Sequence, residues 1–385
     1  MKTTATEVHS HKHIVLGGDN LNSLSIIRSL GEAGIRPIAI IVQEGHIPVV
    51  NSCRFVGEYY PTKSIGDCIS ALLKYANPDK KPFVYTSDDN HESELDLHYD
   101  LLKDKFYFFN AGKQGRITHL MNKGVLCELA RNNGFRTPKS EVVDRGVLPL
   151  SLKYPVFTKT ITPYSAGWKR DVGVFHSSEE LARAYHHMVS KQFLLQEYID
   201  KKNELEIHGF SIDGGRKVFL TFCSLYYRFN KTSFGYYKYF FPLQDEVLRD
   251  QISKMVLDAH YSGVFEVEFL IDEKDCLVFL EINFRFALSN YACTYGGFNL
   301  PIEWAKATLS GKIPNDDCPS GERFSFMNEV SDFKSSVRTK KVSFRTWLKE
   351  LRKSDCLMLF HKNDPKPFFA FLFGEFKRCL KKKGH

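Results

Sequence analysis

The first 118 residues alternate between short apolar runs and segments with helical periodicity. The runs HIVLGG, RPIAIIV and PFVYTSDDN have the composition of buried strands, and NSLSIIRSLGEAG and IGDCISALLKYAN repeat apolar residues at three- and four-residue spacing. This βαβαβ order predicts a small parallel sheet, with ligands near the carboxyl ends of its strands. We therefore assign residues 1–118 to an N-terminal α/β domain.

Between residues 119 and 320 the pattern becomes a mixture of helices and antiparallel strands. HLMNKGVLCELARNNGF, SSEELARAYHHMVSK and LRDQISKMVLDAHYSG have helical periodicity, while YPVFTK and FLLQEYI are short apolar strands. ELEIHGFSIDG and KVFLTFCSLYYRF flank Gly214 and Gly215, which predicts an antiparallel pair. These features predict an α+β domain over 119–320 and a C-terminal extension over 321–385.

A further predicted hairpin, VFEVEFLIDEKDCLVFLEINFRF, concentrates polar side chains on one face of each strand. Because side chains alternate along a strand, Glu266 and Glu268 share a face, and so do Glu281, Asn283 and Arg285. An asparagine inside a strand is unfavourable for packing, which favours a functional role for it.

The pairing of these two strands decides whether their polar faces meet. If Ile271 pairs with Cys276 across the loop 272–275, the faces coincide, whereas a slip of one residue separates them. In the expected register several carboxylates crowd one patch, and opposed carboxylates repel. The patch therefore indicates either a bound cation such as Mg²⁺, which prefers oxygen ligands, or a solvated polar face. Arg285 beside it suits phosphate oxygens.

Composition and charge are those of a globular protein with a basic end. Of 385 residues, 43% are hydrophobic and 25% charged, and the nine cysteines include no CxxC pair, which favours reduced thiols in a cytoplasm. The N-terminal MKTTATEVHSHKH is polar, and no apolar run is long enough for a membrane span. The net charge is +8, but residues 331–385 hold 15 Lys/Arg against 5 Asp/Glu, so the body is nearly neutral.

The order of several motifs resembles the ATP-grasp superfamily over roughly residues 12–315. The pattern E-x-N-x-R at 281–285, with Glu268 upstream, is similar to its metal-binding motif. MNKGVLCELARNNGFRTP and YPVFTK resemble the stretches that carry its nucleotide-binding lysines, here Lys123 and Lys159. The resemblance implies the ATP-grasp fold, preceded by a small parallel α/β (pre-ATP-grasp) domain.

Two further motifs resemble the nucleoside-binding parts of that superfamily. LLQEYI resembles the hinge whose backbone pairs with adenine, which places Glu197, Tyr198 and Ile199 there. Glu204 matches the carboxylate that holds the ribose hydroxyls. The loop over the phosphates departs from the usual glycine-rich form, since it carries the residues Pro163, Trp168, Lys169 and Arg170. The first metal ligand also differs from the superfamily's usual motif, because it is Glu268, whereas some members have an aspartate there.

The resemblance implies an ATP-dependent carboxylate–amine ligase that releases ADP and phosphate through an acyl phosphate. It implies Mg²⁺ (or Mn²⁺) on Glu268, Glu281 and Asn283, with Arg285 as the catalytic residue that stabilises the transferring phosphoryl group. FVYTSDDNHESELDLHYDLL and the terminal DPKPFF look most like D-aspartate ligase-like proteins. The expected partners are therefore small-molecule carboxylate and amine substrates, including an amino acid and a cell-wall or surface-glycan precursor.

Several alternatives stay open at this point. Asp88, Asp89 and Glu266 are candidate substrate contacts, but Asp88 and Asp89 fit equally well as helix caps. A nucleotide-binding regulator without turnover and an ATP-grasp ligase for another substrate, such as a peptide, are alternative functions. An oxidoreductase is disfavoured because no GxGxxG follows the first strand, and no basic–aromatic pattern in the body indicates nucleic acid. The oligomeric state is open, and a dimer is compatible with the sequence.

The basic end contains FRTWLKELRK and KPFFAFLFGEFKRCLKKK. Phe368, Phe369, Leu372 and Phe376 have helical spacing and are flanked by lysines and arginines. Such a segment is typical either of a helix that packs on the body or of one that lies on an anionic membrane surface. The second case predicts peripheral contact with the inner face of the membrane.

Overall fold

A computed structural model describes residues 2–43, 49–161, 170–229, 235–314 and 321–383, and side chains within these ranges from residue 6 to residue 378. The helices are α1 Lys2–Ser10, α2 Leu21–Glu32, α3 Ile65–Leu73, α4 Asp89–Leu97, α5 Tyr99–Leu102, α6 Arg116–Leu120, α7 Lys123–Asn132, α8 Ser178–Tyr185, α9 Glu246–Ala259, α10 Asn290–Tyr295, α11 Leu300–Ser310, α12 Glu329–Asp332, α13 Phe344–Lys353 and α14 Lys366–Lys383. The strands are β1 His13–Gly18, β2 Ile38–Val42, β3 Glu58–Thr62, β4 Phe83–Thr86, β5 Ser140–Asp144, β6 Val156–Lys159, β7 Gly173–Phe175, β8 Gln192–Glu197, β9 Lys201–Ile212, β10 Lys217–Tyr226, β11 Tyr237–Pro242, β12 Gly263–Asp272, β13 Leu277–Asn283, β14 Phe324–Met327 and β15 Cys356–Leu357. Pro163, Trp168 and Lys169 of the predicted phosphate loop lie outside the described residues.

The N-terminal strands form a parallel sheet in the order β3-β2-β1-β4. β1 and β2 are almost fully buried, because apolar clusters cover both faces of the sheet. Burial on both faces explains why their sequences are continuous apolar runs, and the predicted parallel α/β unit is confirmed. The sequence did not predict β3, whose side chains are mostly exposed or half-buried and which contains Pro61, a residue tolerated at a sheet edge.

The largest sheet has seven strands in the order β13-β12-β9-β10-β11-β14-β15. All neighbours in it are antiparallel except β14 and β15. Helices α7, α9 and α11 pack against it, and one apolar core joins it to the first sheet. Two of its strands come from residues after 320, so that part of the chain is built into the sheet.

A third sheet is antiparallel, has the order β5-β8-β6-β7, and shares a small apolar core with α8. β6 ends at Lys159, as YPVFTK predicts, while β8 ends at Glu197, two residues before the end of FLLQEYI. The short strands β5 and β7 were not predicted. The three sheets together confirm a mixed α/β and α+β architecture.

The expected pairing of Ile271 with Cys276 is wrong, because the loop of the β12–β13 hairpin is shorter than predicted. Ile271 pairs with Leu277, and the backbone N–H of Asp272 donates to the carbonyl of Cys276 at 3.1 Å. The loop is therefore the three residues 273–275, and Asp275 lies in the left-handed region at φ 64°. The Asp272 carboxylate stabilises it by accepting from the N–H of Cys276.

A β-bulge at Leu280 then restores the predicted facing of the two strands. Phe269 pairs with Phe279, but Glu268 pairs with Glu281, so Leu280 is an extra residue without a partner on β12. Without the bulge the shortened loop would place Glu268 opposite Leu280 and turn Glu281 to the other face. The loop is one residue shorter than expected and the bulge adds one residue to β13. These two differences offset each other, so the polar side chains of both strands lie on the same face.

The C-terminal segment is anchored to the first sheet's helices by a buried arginine. Arg28 of α2 donates from Nε to Asp364 at 3.1 Å, and from its two Nη atoms to the carbonyls of Met358 and Leu359 at 2.9 and 3.0 Å. Asp364 also accepts from the backbone N–H of Arg54 at 2.9 Å. Arg28 and Asp364 are 0% and 1% exposed, so this ion pair is part of the core.

Candidate active site

Three neighbouring strands of the largest sheet, β9, β12 and β13, place polar side chains side by side. We call this set the acidic row; its members are Glu206, Glu268 and Glu281 across one register position and His208, Glu266 and Asn283 across the next. Glu266 and Glu268 are no more than 9% exposed. The row arises because alternate residues of each strand face the same side, so that E-x-E, E-x-H and E-x-N segments align.

Asn283 links the members of this row. Its Nδ2 donates to Glu268 Oε1 at 2.8 Å and to Glu266 Oε2 at 3.2 Å, and its Oδ1 accepts from Arg285 Nη2 at 3.1 Å. The amide N–H groups therefore lie where the carboxylates require positive charge. Rotation of the amide would present its oxygen to a cation in the same place.

The carboxylates of Glu266 and Glu268 in the acidic row are buried and are repelled by neighbouring carboxylates, and both effects disfavour their charged forms. Burial raises the pKa of Glu268 well above its usual range, and the carboxylates of Glu281 and Glu266 raise it further. Burial, together with Glu206, raises the pKa of Glu266 to about 8. A divalent cation removes both penalties, and carboxylate and amide oxygens are the donors that Mg²⁺ prefers. The residues predicted to hold the metal therefore fit one.

Two lysines lie beside the row. Asn122 caps α7, and Lys123, the first residue of that helix, donates from Nζ to Glu281 Oε2 at 2.9 Å. The Lys123 ammonium is the main reason that the pKa of Glu281 falls to about 2. Burial, and then the charge of Lys123, lower the pKa of Lys159 to about 8. The positive charges of Lys123 and Lys159 repel each other. A polyphosphate has enough negative charge to offset both, so the pair is suited to bind one.

Arg285 forms an ion pair with Asp89, the first residue of helix α4. Its Nε donates to Asp89 Oδ1 at 2.8 Å and its Nη2 to Asp89 Oδ2 at 3.4 Å. Burial disfavours the charge on Arg285, but Asp89 outweighs it and raises the pKa. Asp88 caps α4, accepts from the N–H of His91 at 3.1 Å and lies 2.6 Å from its Nδ1. Asp88 thus has the capping contact considered from the sequence, whereas Asp89 contacts the predicted catalytic arginine.

The predicted adenine hinge lies at the end of β8, in the third sheet. The N–H of Glu197 donates to the carbonyl of Lys139 at 2.9 Å, that of Tyr198 donates to the carbonyl of Pro155 at 3.3 Å, and Ile199 follows directly. These contacts tie the hinge to the starts of β5 and β6, and β6 is the strand that ends at Lys159. Among the described residues, no hydrogen bond joins the hinge to the acidic row.

Glu204, the predicted ribose ligand, is a buried carboxylate with one oxygen unused. Lys201 donates to its Oε1, while Oε2 has no hydrogen-bond partner among the described residues. Burial raises the pKa of Glu204, although Lys201 partly opposes this. A buried acceptor without a donor fits a ligand hydroxyl.

Sequence reasoning missed a cluster under one end of the row. Glu206 forms an ion pair with Lys238 and accepts from Tyr226 Oη and Ser224 Oγ, both at 3.1 Å. Burial raises the pKa of Glu206, but Lys238 outweighs it and lowers the pKa overall. Burial also lowers the pKa of the neighbouring His208 to about 4. The signal was present, because ELEIH repeats polar residues with period two.

One group of possible metal ligands among the described residues is Glu206, His208 and Glu266. Their ligand atoms lie within 4.8 Å of one another. Lys238 already neutralises Glu206, however, so a cation there would face an ammonium group. In the other candidate set, Glu268 forms no ion pair among the described residues, although Glu281 is paired with Lys123. Glu268, Glu281 and Asn283 therefore stay the predicted metal ligands.

Comparison with known proteins identifies the fold. No family model and no curated protein matches the chain. Among solved structures, N5-carboxyaminoimidazole synthetase from Staphylococcus aureus has a TM-score of 0.64 and 15% identity over 86% of both chains. The biotin carboxylase domain of the Hydrogenobacter thermophilus 2-oxoglutarate carboxylase has a TM-score of 0.60 and 18% identity, over 82% of this chain and 73% of that one.

An L-amino acid ligase from Bacillus licheniformis is also similar, with a TM-score of 0.57 and 15% identity over 78% of this chain and 74% of that one. At these identities the likeness concerns architecture, and it extends over 78–86% of this chain. The parallel N-terminal sheet, the two antiparallel sheets and these neighbours agree with the resemblance found in the sequence: the chain has the ATP-grasp fold.

Proposed function

We propose that the protein is an ATP-dependent carboxylate–amine ligase that forms an amide bond and releases ADP and phosphate. One observation carries the proposal: the acidic row contacts Lys123 through Glu281 and Arg285 through Asn283, so metal ligands and phosphate-binding cations converge. The neighbours support the nucleotide, since the Staphylococcus aureus synthetase was crystallised with ADP and the Hydrogenobacter thermophilus domain with MgADP.

Each predicted site residue has a role in this proposal. Glu268, Glu281 and Asn283 would hold Mg²⁺ (or Mn²⁺), which would supply charge neutralisation to the nucleotide phosphates. Lys123 and Lys159 offset the remaining phosphate charge as point cations. Glu204 accepts from the ribose, and the backbone of residues 197–199 pairs with adenine.

The reaction needs little covalent chemistry from the chain. A carboxylate does not react with an amine at neutral pH because oxide would have to leave. Phosphoryl transfer gives an acyl phosphate, after which the C–N bond forms, the C–O bond to phosphate breaks and the amine loses a proton. Arg285 stabilises the transferring phosphoryl group. Of the three candidate substrate carboxylates, Glu266 lies in the row, so it is the candidate to accept that proton.

The substrates are proposed from the sequence. The likeness of FVYTSDDNHESELDLHYDLL and DPKPFF to D-aspartate ligase-like proteins supports an amino acid as carboxylate donor and a cell-wall or surface-glycan precursor as amine acceptor. Such a protein would act in the cytoplasm on small molecules, close to the inner face of the membrane.

The test is an ADP-release screen of amino acids crossed with amines, followed by mass analysis of the product. We expect one pair to release ADP stoichiometrically with a product of combined mass less water. Glu281→Gln and Asn283→Ala should each lower turnover by at least about a hundredfold while circular dichroism is unchanged. The matched control is Glu246→Gln, an exposed glutamate on α9, which should retain full turnover.

Three results would contradict parts of this proposal. Normal ATP consumption by Glu281→Gln and Asn283→Ala would refute the metal assignment. Tight nucleotide binding without ADP release for any pair would favour a regulator. Products formed only from peptides or bicarbonate would favour a different ATP-grasp ligase.

A further inference from the structure

Helix α14 presents an apolar stripe to solvent. Phe369, Leu372, Phe373 and Phe376 are 62%, 39%, 53% and 61% exposed. Their spacing of i, i+3, i+4 and i+7 places all four on one side of the helix. We call these four residues the α14 stripe. Four adjacent large apolar side chains left in water are unusual in a soluble protein and mark an interaction surface.

The opposite side of α14 is fixed to the body, which sets the direction of the stripe. Phe368 packs edge-on against Phe360, with ring centroids 5.5 Å apart. Phe371 packs on the main core, and Glu375 pairs with Lys334. The helical spacing predicted Phe368 on the same exposed face as Phe369, Leu372 and Phe376, but its ring faces inward. Phe373 takes its place in the stripe.

The surroundings of the stripe are positively charged. Lys377 Nζ lies 4.7 Å from the ring centroid of Phe373, directly at the edge of the stripe. Lys366 is also exposed at the start of the helix, and residues 381–383 add three lysines to its end. The single acid of the helix, Glu375, is bound by Lys334 and Arg378. An apolar stripe bordered by cations matches the chemistry of an anionic lipid surface.

We infer that α14 binds the surface of an anionic bilayer, with the α14 stripe among the headgroups and upper acyl chains and Lys366 and Lys377 at the lipid phosphates. A second copy of the chain complements this surface poorly. Pairing two stripes in parallel brings the basic C-terminal ends together, and pairing them antiparallel brings Lys366 against the basic end of its partner. Among the described residues, no helix has the length and apolarity to cross a bilayer, so the contact is peripheral.

The test is co-sedimentation of the full chain with vesicles of phosphatidylcholine alone or mixed with phosphatidylglycerol. We expect binding to the anionic vesicles that weakens as salt is added. Phe369→Ser combined with Phe373→Ser should reduce that binding at least tenfold. Lys377→Gln should reduce it about fivefold, the effect of one cation near such a surface. Leu150→Ser is the matched control, because Leu150 is 93% exposed and its N–H donates to Glu141 of β5, in the third sheet.

The proposal fails if binding to both kinds of vesicle is equal, or if the double variant binds as tightly as the wild type. It also fails if the double variant converts a dimer to a monomer in sedimentation velocity while neither protein binds vesicles, since a second copy would then cover the stripe. Lys377→Gln keeps the test decisive if the double variant does not fold. ADP release measured without vesicles should be the same in all variants, so this proposal and the ligase proposal fail independently.

Discussion

The side chains of the candidate site are partnered unequally. Glu281 is paired with Lys123 and Glu206 with Lys238, whereas one oxygen of the buried Glu204 has no partner among the described residues. Leaving a buried carboxylate oxygen without a donor costs free energy. A ligand that supplies the missing donor recovers that free energy, so Glu204 should affect affinity more than chemistry.

Glu204→Ala should weaken ATP binding about tenfold, because a hydrogen bond to a charged group contributes about 1.5 kcal/mol or more. Turnover at saturating ATP should change little. Equilibrium dialysis or calorimetry gives the Kd, and Glu204→Gln, which keeps one carbonyl acceptor, should lose less. An unchanged Kd in Glu204→Ala would rule out the ribose contact.

Lys159 should make ATP binding sensitive to alkaline pH. Burial and Lys123 lower its pKa to about 8, so the cation is present below pH 8 and is lost as the pH rises through that value. The Kd for ATP should be flat at neutral pH and rise by up to about tenfold per pH unit above 8. Lys159→Arg keeps the charge and should give a flat profile. A flat profile in the wild-type protein would contradict the assignment.

The sequence identified the residues of β12 and β13 but not their partners on β9 and β11. Glu266, Glu268, Glu281 and Asn283 follow from period-two alternation within one hairpin, which is local information. The pairing of Glu206 with Lys238 depends on which strands become neighbours after long connections. Strand order of that kind is set by packing of the whole sheet, and a single sequence does not specify it.

At the scale of elements, helices and long strands could be predicted, whereas short edge strands could not. Ser177 caps α8, because its side chain accepts from Glu180 N–H. β3 and β7 are short and only partly buried, so their hydrophobic pattern is weak. The facing of the polar sides of β12 and β13 was predicted correctly from a wrong register, since the loop is one residue shorter than expected and the bulge at Leu280 compensates for it.

Deleting Leu280 should retain ATP turnover. Phe279 and Glu281 then become consecutive residues opposite Phe269 and Glu268, so regular pairing keeps Glu281 and Asn283 facing Glu268 and Glu266. Leu280→Ala keeps the bulge and should also retain turnover, so ADP release is compared among the wild type and both variants. Loss of turnover in the deletion variant alone would show that the bulge itself, and not only the facing of the strands, is needed.

At the scale of the whole molecule, the segment after residue 320 is part of the folded body. β14 and β15 extend the largest sheet, and Arg28 binds the chain at Met358, Leu359 and Asp364. The composition of this segment indicated a basic extension. Its apolar residues are too dispersed in sequence to show that they complete a sheet formed by residues 201–283.

Arg28→Ala should lower the free energy of unfolding by about 3–5 kcal/mol, because it leaves Asp364 charged and buried without its partner. Denaturant unfolding followed by circular dichroism measures this. Lys103→Ala is the control, since its ion pair with Asp100 is exposed to solvent and should contribute little to stability. Equal losses in the two variants would show that the C-terminal segment is not anchored through Arg28.

The ion pair between Lys123 and Glu281 should couple the binding of the two proposed ligands, the nucleotide and the metal. On the proposed assignment, the nucleotide would compete with Glu281 for the lysine, and the metal would compete with Lys123 for the carboxylate. Either ligand alone leaves one member of the pair without its counter-charge, whereas both together satisfy both members. Metal and nucleotide should therefore bind with positive cooperativity, and linkage requires that each raises the affinity of the other by the same factor.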